Sequence, residues 1–255
     1  MIQTMDLIRR FGPLVAVQDL NLAVKAGELF GFLGPNGSGK TTTIRLLIGL
    51  LQPTAGTAIV AGHDVQQEPL AVKQAVGYLA EVPYLYGKLT GREFLRFVGG
   101  LYGLADEESE ARAERLLALF DLSEKGDQLI EGYSRGMRQK IASCSALLHE
   151  PRVLLLDEPL TGFDPYSARR MKEVLRELCR RGVTVFLSTH VLEIAERMCD
   201  RVGILDRGRL IAVGTMEELR DQAQSPAGAT LEDLFLRLTG GEEVAEVAAM
   251  LEGVV

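Results

Sequence analysis

The sequence of 255 residues contains no tryptophan, only three cysteines and only three histidines. The cysteines, Cys144, Cys179 and Cys199, are widely spaced and form no C-x-x-C pair, which argues against a disulfide framework or a zinc site and favours a reducing compartment. No apolar run approaches the ~20 residues needed to cross a bilayer, and the N-terminus has no signal-peptide pattern. We therefore expect a chain without a targeting signal or a membrane span of its own.

The chain also lacks an excess of positive charge. The chain has 28 Lys and Arg residues against 35 Asp and Glu, which gives a formal net charge of −7. Proteins that bind nucleic acid usually carry a basic footprint, so we expect no nucleic acid partner. The hydrophobic fraction of 47% is that of an ordinary globular protein.

Short apolar runs alternate with helical patterns along much of the chain. The runs at 153–156 and 183–187 have no polar alternation, which is typical of strands covered on both faces of a parallel sheet. Between them, Asp164 as N-cap, Pro165 and Gly182 delimit a helix, and strand, helix and strand in this order predict a right-handed crossover. The predicted strands are residues 28–33, 58–60, 76–79, 153–156 and 183–187.

A further helix is predicted at residues 41–48, apolar nearly all round and therefore buried. The apolar residues with the spacing i, i+3, i+4 and i+7 are Ile44, Leu47, Ile48 and Leu51. The remaining face is predicted to be filled by Leu46 and Leu50.

Strand signals disappear between residues 90 and 148, and helical signals replace them. One helix opens at residues 106–108, and the residues predicted on its apolar side are Ala111, Leu116, Leu117 and Phe120. We interpret this stretch as a helical subdomain inserted into the sheet. Beyond Gly214 the chain is predicted to be helical, with a linker at 222–229 and apolar stripes at 231–238 and 244–251 that serve packing, dimer contact or partner binding.

The segment 34–41 matches the phosphate-loop pattern G-x-x-x-x-G-K-[ST] and lies between a predicted strand and a predicted helix. Its glycines let backbone N–H groups approach a triphosphate, Lys40 supplies a positive charge, and the Thr41 hydroxyl can ligate Mg²⁺. The alternative, a glycine-rich turn with an idle lysine, explains the flanking strand and helix less well. The residues expected to bind the nucleotide here are Asn36, Gly37, Ser38, Gly39, Lys40, Thr41 and Thr42.

The apolar strand at 153–156 ends abruptly in two carboxylates, Asp157 and Glu158. Ligands of open α/β sheets bind at the carboxyl edge, so we expect both acids to face the phosphate loop. Asp157 can then hold Mg²⁺, and Glu158 can orient or deprotonate the water that attacks the γ-phosphate. A strand that merely ends in Asp-Glu-Pro is the alternative, and the phosphate loop makes it the weaker one.

The motifs taken together resemble those of the ATP-binding cassette (ABC) ATPases, in order across about residues 2–219. The segment 133–137, Tyr-Ser-Arg-Gly-Met, resembles the family's L-S-G-G-Q signature, with Ser134 and Gly136 retained. Residues 161–164, which end in Asp164, resemble the family's D-loop. His190 matches the family's switch histidine. The aromatic loop that stacks on adenine resembles the segment around Phe11, with Val17 as its apolar neighbour.

Three positions depart from the family pattern. Glu81 stands where the Q-loop glutamine is usual; it can still ligate Mg²⁺ but cannot donate an N–H group. Arg135 replaces the first signature glycine, and it either adds a cation near the γ-phosphate or points into solvent. Met137 replaces glutamine and cannot hydrogen-bond a ribose. We nonetheless expect all three residues to belong to the nucleotide site, and we expect Glu81 to act both in catalysis and as a metal ligand.

The resemblance also implies a fold class, a domain organisation and a dimeric assembly. The fold class is α/β, with a phosphate-loop NTPase core, a mostly parallel sheet, an N-terminal antiparallel β part, the helical subdomain at about 90–148 and a helical tail. A nucleotide-binding domain would cover 1–219 and a C-terminal extension 220–255. Two copies would close head to tail over ATP and Mg²⁺, on the cytoplasmic face of the cell membrane.

The full pattern is similar to the ATP-binding subunits of bacterial exporters of drugs, antibiotics or sodium. Such a subunit drives a separate transmembrane permease subunit, expected here to dock at residues 82–90 and on the helical subdomain. The alternative is a soluble ABC ATPase that serves iron–sulfur assembly, repair or translation.

Overall fold

Ten strands and nine α-helices succeed one another in the part of the chain that the computed structural model describes, residues 1–226 and 228–240. The strands are β1 (Ile2–Phe11), β2 (Leu14–Val24), β3 (Leu29–Leu33), β4 (Ala55–Val60), β5 (His63–Asp64), β6 (Val76–Leu79), β7 (Val153–Asp157), β8 (Thr184–Thr189), β9 (Arg201–Asp206) and β10 (Arg209–Gly214). The helices are α1 (Lys40–Leu47), α2 (Pro69–Ala75), α3 (Gly91–Leu101), α4 (Asp106–Leu119), α5 (Arg135–Leu147), α6 (Pro165–Arg180), α7 (Leu192–Met198), α8 (Met216–Gln222) and α9 (Leu231–Thr239).

The larger sheet has six strands in the order β10-β9-β3-β8-β7-β6. Five of these strands run parallel, and β10 pairs with β9 as an antiparallel edge. All residues of β3, β7 and β8 are buried, as the unbroken apolar runs predict. Because β3, β7 and β8 are neighbours, the ends of the strands that carry the predicted site residues meet at one edge of the sheet.

The smaller sheet is antiparallel, in the order β2-β1-β4-β5, and confirms the antiparallel N-terminal part implied by the family resemblance. Strand β1 lies at its centre, so Ile2 pairs with Val24 on one side and with Val60 on the other. Ile2, Val24 and Val60 belong to the same buried cluster as Phe30, which joins this sheet to the larger one.

Three aromatic rings fill the middle of the core. The ring centroid of Phe186 lies 5.6 Å from that of Phe30 and 5.0 Å from that of Phe32. All three side chains are fully buried. Since Phe30 and Phe32 lie on β3 and Phe186 on the adjacent β8, these contacts hold β8 against the strand that leads into the phosphate loop.

Helices α3, α4 and α5 lie between β6 and β7 in sequence and form the predicted insertion. Thr90 and Glu93 cap α3 reciprocally, which places the beginning of the insertion at the expected residue. The predicted apolar side of α4 is wrong at Ala111, which is exposed, whereas Ala113 takes the buried position. Ala113 shares a helix face with Leu117 and Phe120 at i, i+4 and i+7.

Helix α1 ends earlier than predicted. Ile48 is its C-cap, and Gly49 follows with a φ of +69°. Leu50 therefore leaves the helical spacing and is 56% exposed, contrary to the prediction that it fills a buried face. Ile44, Leu46 and Leu47 are fully buried, as predicted.

The described part of the C-terminal extension contains the end of α8, a non-helical connection and α9. The Thr230 hydroxyl accepts from the Asp233 N–H, and the Asp233 carboxylate accepts from the Thr230 N–H, which is the predicted capping box. Leu231 and Leu234 are buried in one cluster with Leu33 of β3. The predicted boundary at 219 falls inside α8 and remains a prediction, and the predicted stripe at 244–251 lies outside the described residues.

Among the described residues, none of the helices combines the length and the apolar character needed to span a bilayer. The longest, α6, has 16 residues and carries several charges.

The aromatic cluster can be tested by truncation. Phe186→Ala removes a fully buried ring from between two strands, so we expect the free energy of unfolding to fall by about 3–5 kcal/mol. Urea titration followed by circular dichroism measures this loss. The control is Leu70→Ala, whose side chain is 74% exposed and should change stability by less than about 0.5 kcal/mol. Equal losses in the two variants would contradict the assigned core.

Candidate active site

The phosphate loop connects β3 to α1 and is bent by glycines in the left-handed region. Gly37 and Gly39 have φ values of +82° and +108°. A methyl group on Gly39 would lie 2.3 Å from the Ala16 carbonyl oxygen, and one on Gly34 would lie 2.3 Å from that of Leu205. The loop therefore lies directly on β2 and on the end of β9, and only glycine fits at these two contacts.

Lys40 is the first residue of α1, and its side chain folds back across the loop. Its Nζ donates hydrogen bonds to the carbonyl oxygens of Gly34 at 2.7 Å and of Pro35 at 3.2 Å. Burial lowers the pKa of Lys40, and the nearby carboxylates of Glu158, Asp157 and Glu81 act in the opposite direction. A buried cation of this kind is suited to meet an anion held by the loop.

Asp157, the last residue of β7, is bound by hydroxyl groups from two other elements. The Thr41 Oγ1 of α1 donates to its Oδ2 at 2.7 Å, and the Ser188 Oγ of β8 donates to its Oδ1. The carboxylate is thus held next to the first turn of α1. This confirms the expectation that the strand end and the phosphate loop face each other.

Glu158 follows in the left-handed region, with a φ of +49°. This conformation costs a residue with a side chain on the order of 1 kcal/mol, and hydrogen bonds hold it here. The carboxylate accepts from the Thr189 Oγ1 at 3.0 Å and from the His190 N–H at 2.9 Å, and the His190 Nδ1 lies 2.8 Å from its Oε1. Glu158 and His190 thus form one hydrogen-bonded pair at the edge of the sheet.

A cavity of about 660 Å³ opens above these groups. It contains three carboxylates and two cations and extends from the phosphate loop to the start of β2. The residues that line it are Phe11, Leu14, Val15, Ala16, Asn36, Gly37, Gly39, Lys40, Thr41, Thr42, Glu81, Asp157, Glu158, His190 and Arg207. Most of the residues predicted from the sequence therefore surround a single space.

Val17 does not line this cavity, and its contact with a base stays a prediction. Its side chain is fully buried in the core. The register explains why, because Arg9 pairs with Val17 and Arg10 with Val15, which leaves Ala16 as an extra residue in β2. Such a bulge reverses the alternation of side chains, and Val15 and Ala16 line the cavity instead.

Of two other residues predicted to bind the nucleotide, Phe11 lines the cavity and Ser38 does not. Phe11 is 41% exposed at the cavity, where the Arg9 guanidinium lies 4.4 Å from its ring centroid. Ser38 is only 2% exposed and does not line the cavity. Its carbonyl oxygen accepts from the Gly208 N–H at 2.9 Å, so Ser38 connects the phosphate loop to the turn between β9 and β10.

The signature segment lies elsewhere. Ser134 caps α5, and its Oγ accepts from the Met137 N–H at 3.3 Å. None of the four residues Ser134, Arg135, Gly136 and Met137 lines the cavity of its own chain. The N-terminus of α5 is instead presented at the surface, with Ser134 and Arg135 exposed.

The signature segment packs against the predicted D-loop. Arg135 lies along Gly162, where an added methyl group would meet its side chain at 3.2–3.3 Å, and a methyl group on Gly136 would be 3.1 Å from the Gly162 carbonyl oxygen. Within the described residues no carboxylate forms an ion pair with Arg135. Asp164 caps α6, and hydrogen bonds from Ser167 lower its pKa to about 2.

The oxygen ligands for a magnesium ion converge at α1. The Thr41 hydroxyl and the Asp157 carboxylate are in contact, and Glu81 lines the same cavity. The described residues contain no cluster of three or more His, Cys, Asp or Glu side chains suited to a metal. Mg²⁺ in nucleotide sites is commonly held by one or two carboxylates together with substrate phosphates, so these residues fit Mg²⁺ bound with a nucleotide.

Sequence reasoning missed four residues of the cavity: Leu14, Val15, Ala16 and Arg207. The Asp-Arg-Gly run at 206–208 is a turn signal, but nothing in the sequence places it beside β2.

Comparison with known proteins agrees with this geometry. The family described as "ABC transporter" matches residues 17–161. The daunorubicin resistance ATP-binding protein DrrA3 of Streptomyces coeruleorubidus is 40% identical over 246 residues, which cover 96% of this chain and 77% of that protein. The probable multidrug ABC transporter ATP-binding protein YbhF of Escherichia coli is 38% identical over 239 residues, which cover 93% of this chain. The chain spans only 41% of the length of YbhF.

Solved structures show the same fold. The structure of an ATP-binding subunit of an ABC transporter aligns with a TM-score of 0.89 at 35% identity, over 94% of this chain and 99% of that one. A dimeric ATP-binding cassette bound to ADP and phosphate aligns with a TM-score of 0.78 at 23% identity, over 85% of this chain and 99% of that one, a likeness of fold alone. The chain therefore belongs to the ABC transporter family.

Proposed function

We propose that this chain is the subunit of a bacterial exporter that hydrolyses ATP and drives a separate membrane subunit. The observation that carries the proposal is the Glu158–His190 pair at 2.8 Å, in the same cavity as Lys40 and Asp157. Relatives are named for multidrug transport, daunorubicin resistance, linearmycin resistance and Nod factor export, which supports export over import.

In the proposed reaction, water attacks the γ-phosphorus of ATP, the bond between this phosphorus and the β,γ-bridging oxygen breaks, and ADP leaves with that oxygen. Glu158 accepts the proton that the attacking water loses. His190 binds the γ-phosphate through the ring nitrogen that faces away from Glu158. Lys40 and the N–H groups of the phosphate loop bind the phosphate oxygens. Thr41, Asp157 and Glu81 would hold Mg²⁺, which neutralises phosphate charge when bound. As a carboxylate, Glu81 can take part as a metal ligand or an acceptor but not as an N–H donor.

The complete site is proposed to need two copies of the chain. Ser134, Gly136 and the N-terminus of α5 lie outside the cavity of their own chain and are accessible to another molecule. A head-to-tail arrangement would bring them to the γ-phosphate in the partner's cavity, with Arg135, Met137 and Asp164 at the same interface. ATP would then join the two copies, and hydrolysis would release them.

The membrane subunit is proposed to dock at residues 82–90, on the inner face of the cell membrane. Three large side chains of this loop are strongly exposed: Val82 at 70%, Tyr84 at 99% and Tyr86 at 59%. Tyr86 packs edge-to-face on Phe97 of α3, which connects the loop to the helical subdomain. An apolar and aromatic patch of this kind is typical of a partner surface. No observation on the described residues favours the soluble, non-transport alternative.

Replacing Lys40 by Ala should abolish ATP binding. The variant removes the buried cation from the phosphate loop, so isothermal titration calorimetry should detect no saturable heat at ATP concentrations that saturate the wild-type chain. Lys73→Ala, an exposed lysine of α2, is the matched control and should bind normally. Retained affinity in Lys40→Ala would contradict the role of the loop.

Replacing Glu158 by Gln should stop hydrolysis and stabilise the ATP-bound dimer. Gln keeps the size of the side chain but cannot accept the proton, so turnover should fall at least about 100-fold. Light scattering with ATP should then show a dimer that disappears with ADP. Glu107→Gln, an exposed residue of α4, serves as the control. Turnover at the wild-type rate in Glu158→Gln would overturn the assignment of the base.

Replacing Tyr84 by Ala should uncouple the chain from its membrane subunit. The side chain is 99% exposed, so basal ATPase activity and stability should not change. Co-purification with the membrane protein encoded by a neighbouring reading frame, and substrate stimulation of ATPase activity, should both be reduced. Leu70→Ala, on another surface, should leave both intact, and undiminished co-purification of Tyr84→Ala would exclude this docking loop.

A further inference from the structure

The turn between β9 and β10 has an unusual backbone. Two successive residues, Arg207 and Gly208, have φ values of +45° and +80°. Tight hairpin turns of this hand favour Asn or Gly at both positions. An arginine is disfavoured there relative to a residue that accepts the conformation. A strained residue at the edge of a binding cavity is a reason to look for a function.

The turn is held against two parts of the nucleotide cavity. The Gly208 N–H donates to the Ser38 carbonyl oxygen of the phosphate loop at 2.9 Å. The Gly208 carbonyl oxygen accepts from the Gln18 N–H of β2 at 2.7 Å. A methyl group on Gly208 would be 3.0 Å from the Ala16 carbonyl oxygen, so the turn lies directly on the bulge of β2. Arg207 is thereby fixed at the junction between the phosphate loop and the strand next to Phe11.

The Arg207 side chain is largely exposed to solvent. It is 91% exposed, and its nearest carboxylate oxygen, on Asp206, is 3.9 Å away. By contrast, Arg209 on the other side of the turn donates from its Nε to the Gln18 Oε1 at 3.0 Å. Of the residues that line the cavity within the described chain, Lys40 and Arg207 alone carry positive charge. Lys40 lies at the phosphate loop, and Arg207 lies on the side of β2.

We propose that Arg207 is a nucleotide-binding residue that contacts the α-phosphate of the bound nucleotide. The inference rests on the proposed function, since it requires ATP in this cavity. The guanidinium group offers several N–H donors suited to phosphate and hydroxyl oxygens. The position at β2, away from Glu158 and His190, points to the part of the molecule that ATP and ADP share. Arg207 therefore strengthens the binding of both nucleotides and does not distinguish substrate from product.

The test uses Arg207→Asn, because Asn accepts the left-handed conformation and lacks the positive charge. Calorimetric titrations with ATP, ADP and adenosine compare this variant with the wild-type chain. We expect the affinities for ATP and ADP to fall by a similar factor, about three- to tenfold, and the affinity for adenosine to change little. The urea midpoint should be unchanged or higher, which a merely structural role of Arg207 would not produce. Arg207→Lys should retain part of the affinity.

Arg209→Ala is the matched control on the same turn and should leave ATP and ADP binding within twofold of the wild type. Unchanged affinities in Arg207→Asn would overturn the inference. So would a loss confined to ATP, which would place the contact at the γ-phosphate, or an equal loss for adenosine, which would place it at the base or the ribose. A wild-type chain that binds neither ATP nor ADP would instead refute the proposed function.

Discussion

The structure depends on the hydrogen bonding of two adjacent carboxylates at the end of β7. Asp157 and Glu158 are 2% and 7% exposed, and buried anions are tolerated only where donors satisfy them. The donors are Thr41 of α1, Ser188 of β8 and His190, which directly follows β8. The same bonds therefore stabilise the acids and hold the first turn of α1 against the sheet. The phosphate loop precedes α1 directly, so its position follows from these bonds.

Around this centre, the cavity is bounded by turns in the left-handed region. Gly39, Glu158 and Arg207 all have positive φ values and lie on three different connections of the larger sheet. Each connection bends sharply at a strand end, which directs backbone and side-chain groups toward a common space. Glycine accepts this conformation without strain, whereas a glutamate and an arginine do not. The hydrogen bonds of Glu158 to His190 compensate at one of these turns, and the contacts of Gly208 fix the other.

The remaining motif lies on a different surface. Arg135 and Gly136 pack on Gly162, so the signature segment is in contact with the loop that follows Glu158 in the same chain. The two segments therefore pack directly on each other. In the proposed dimer this contact would link the events at one nucleotide to the groups offered to the other.

The sequence by itself determined the elements that local patterns encode: the buried strands, the phosphate loop, the caps at Asp164 and Thr230, and the acids at the end of β7. Spacing and capping depend on neighbours a few residues away, so one sequence suffices to predict them. Only the tertiary structure decided that Val17 is buried, because a bulge shifts the alternation of β2 against β1. It also placed Arg207 beside Ala16, about 190 residues earlier in the chain, since strand order and the contact of one turn with another are set by packing across the whole molecule.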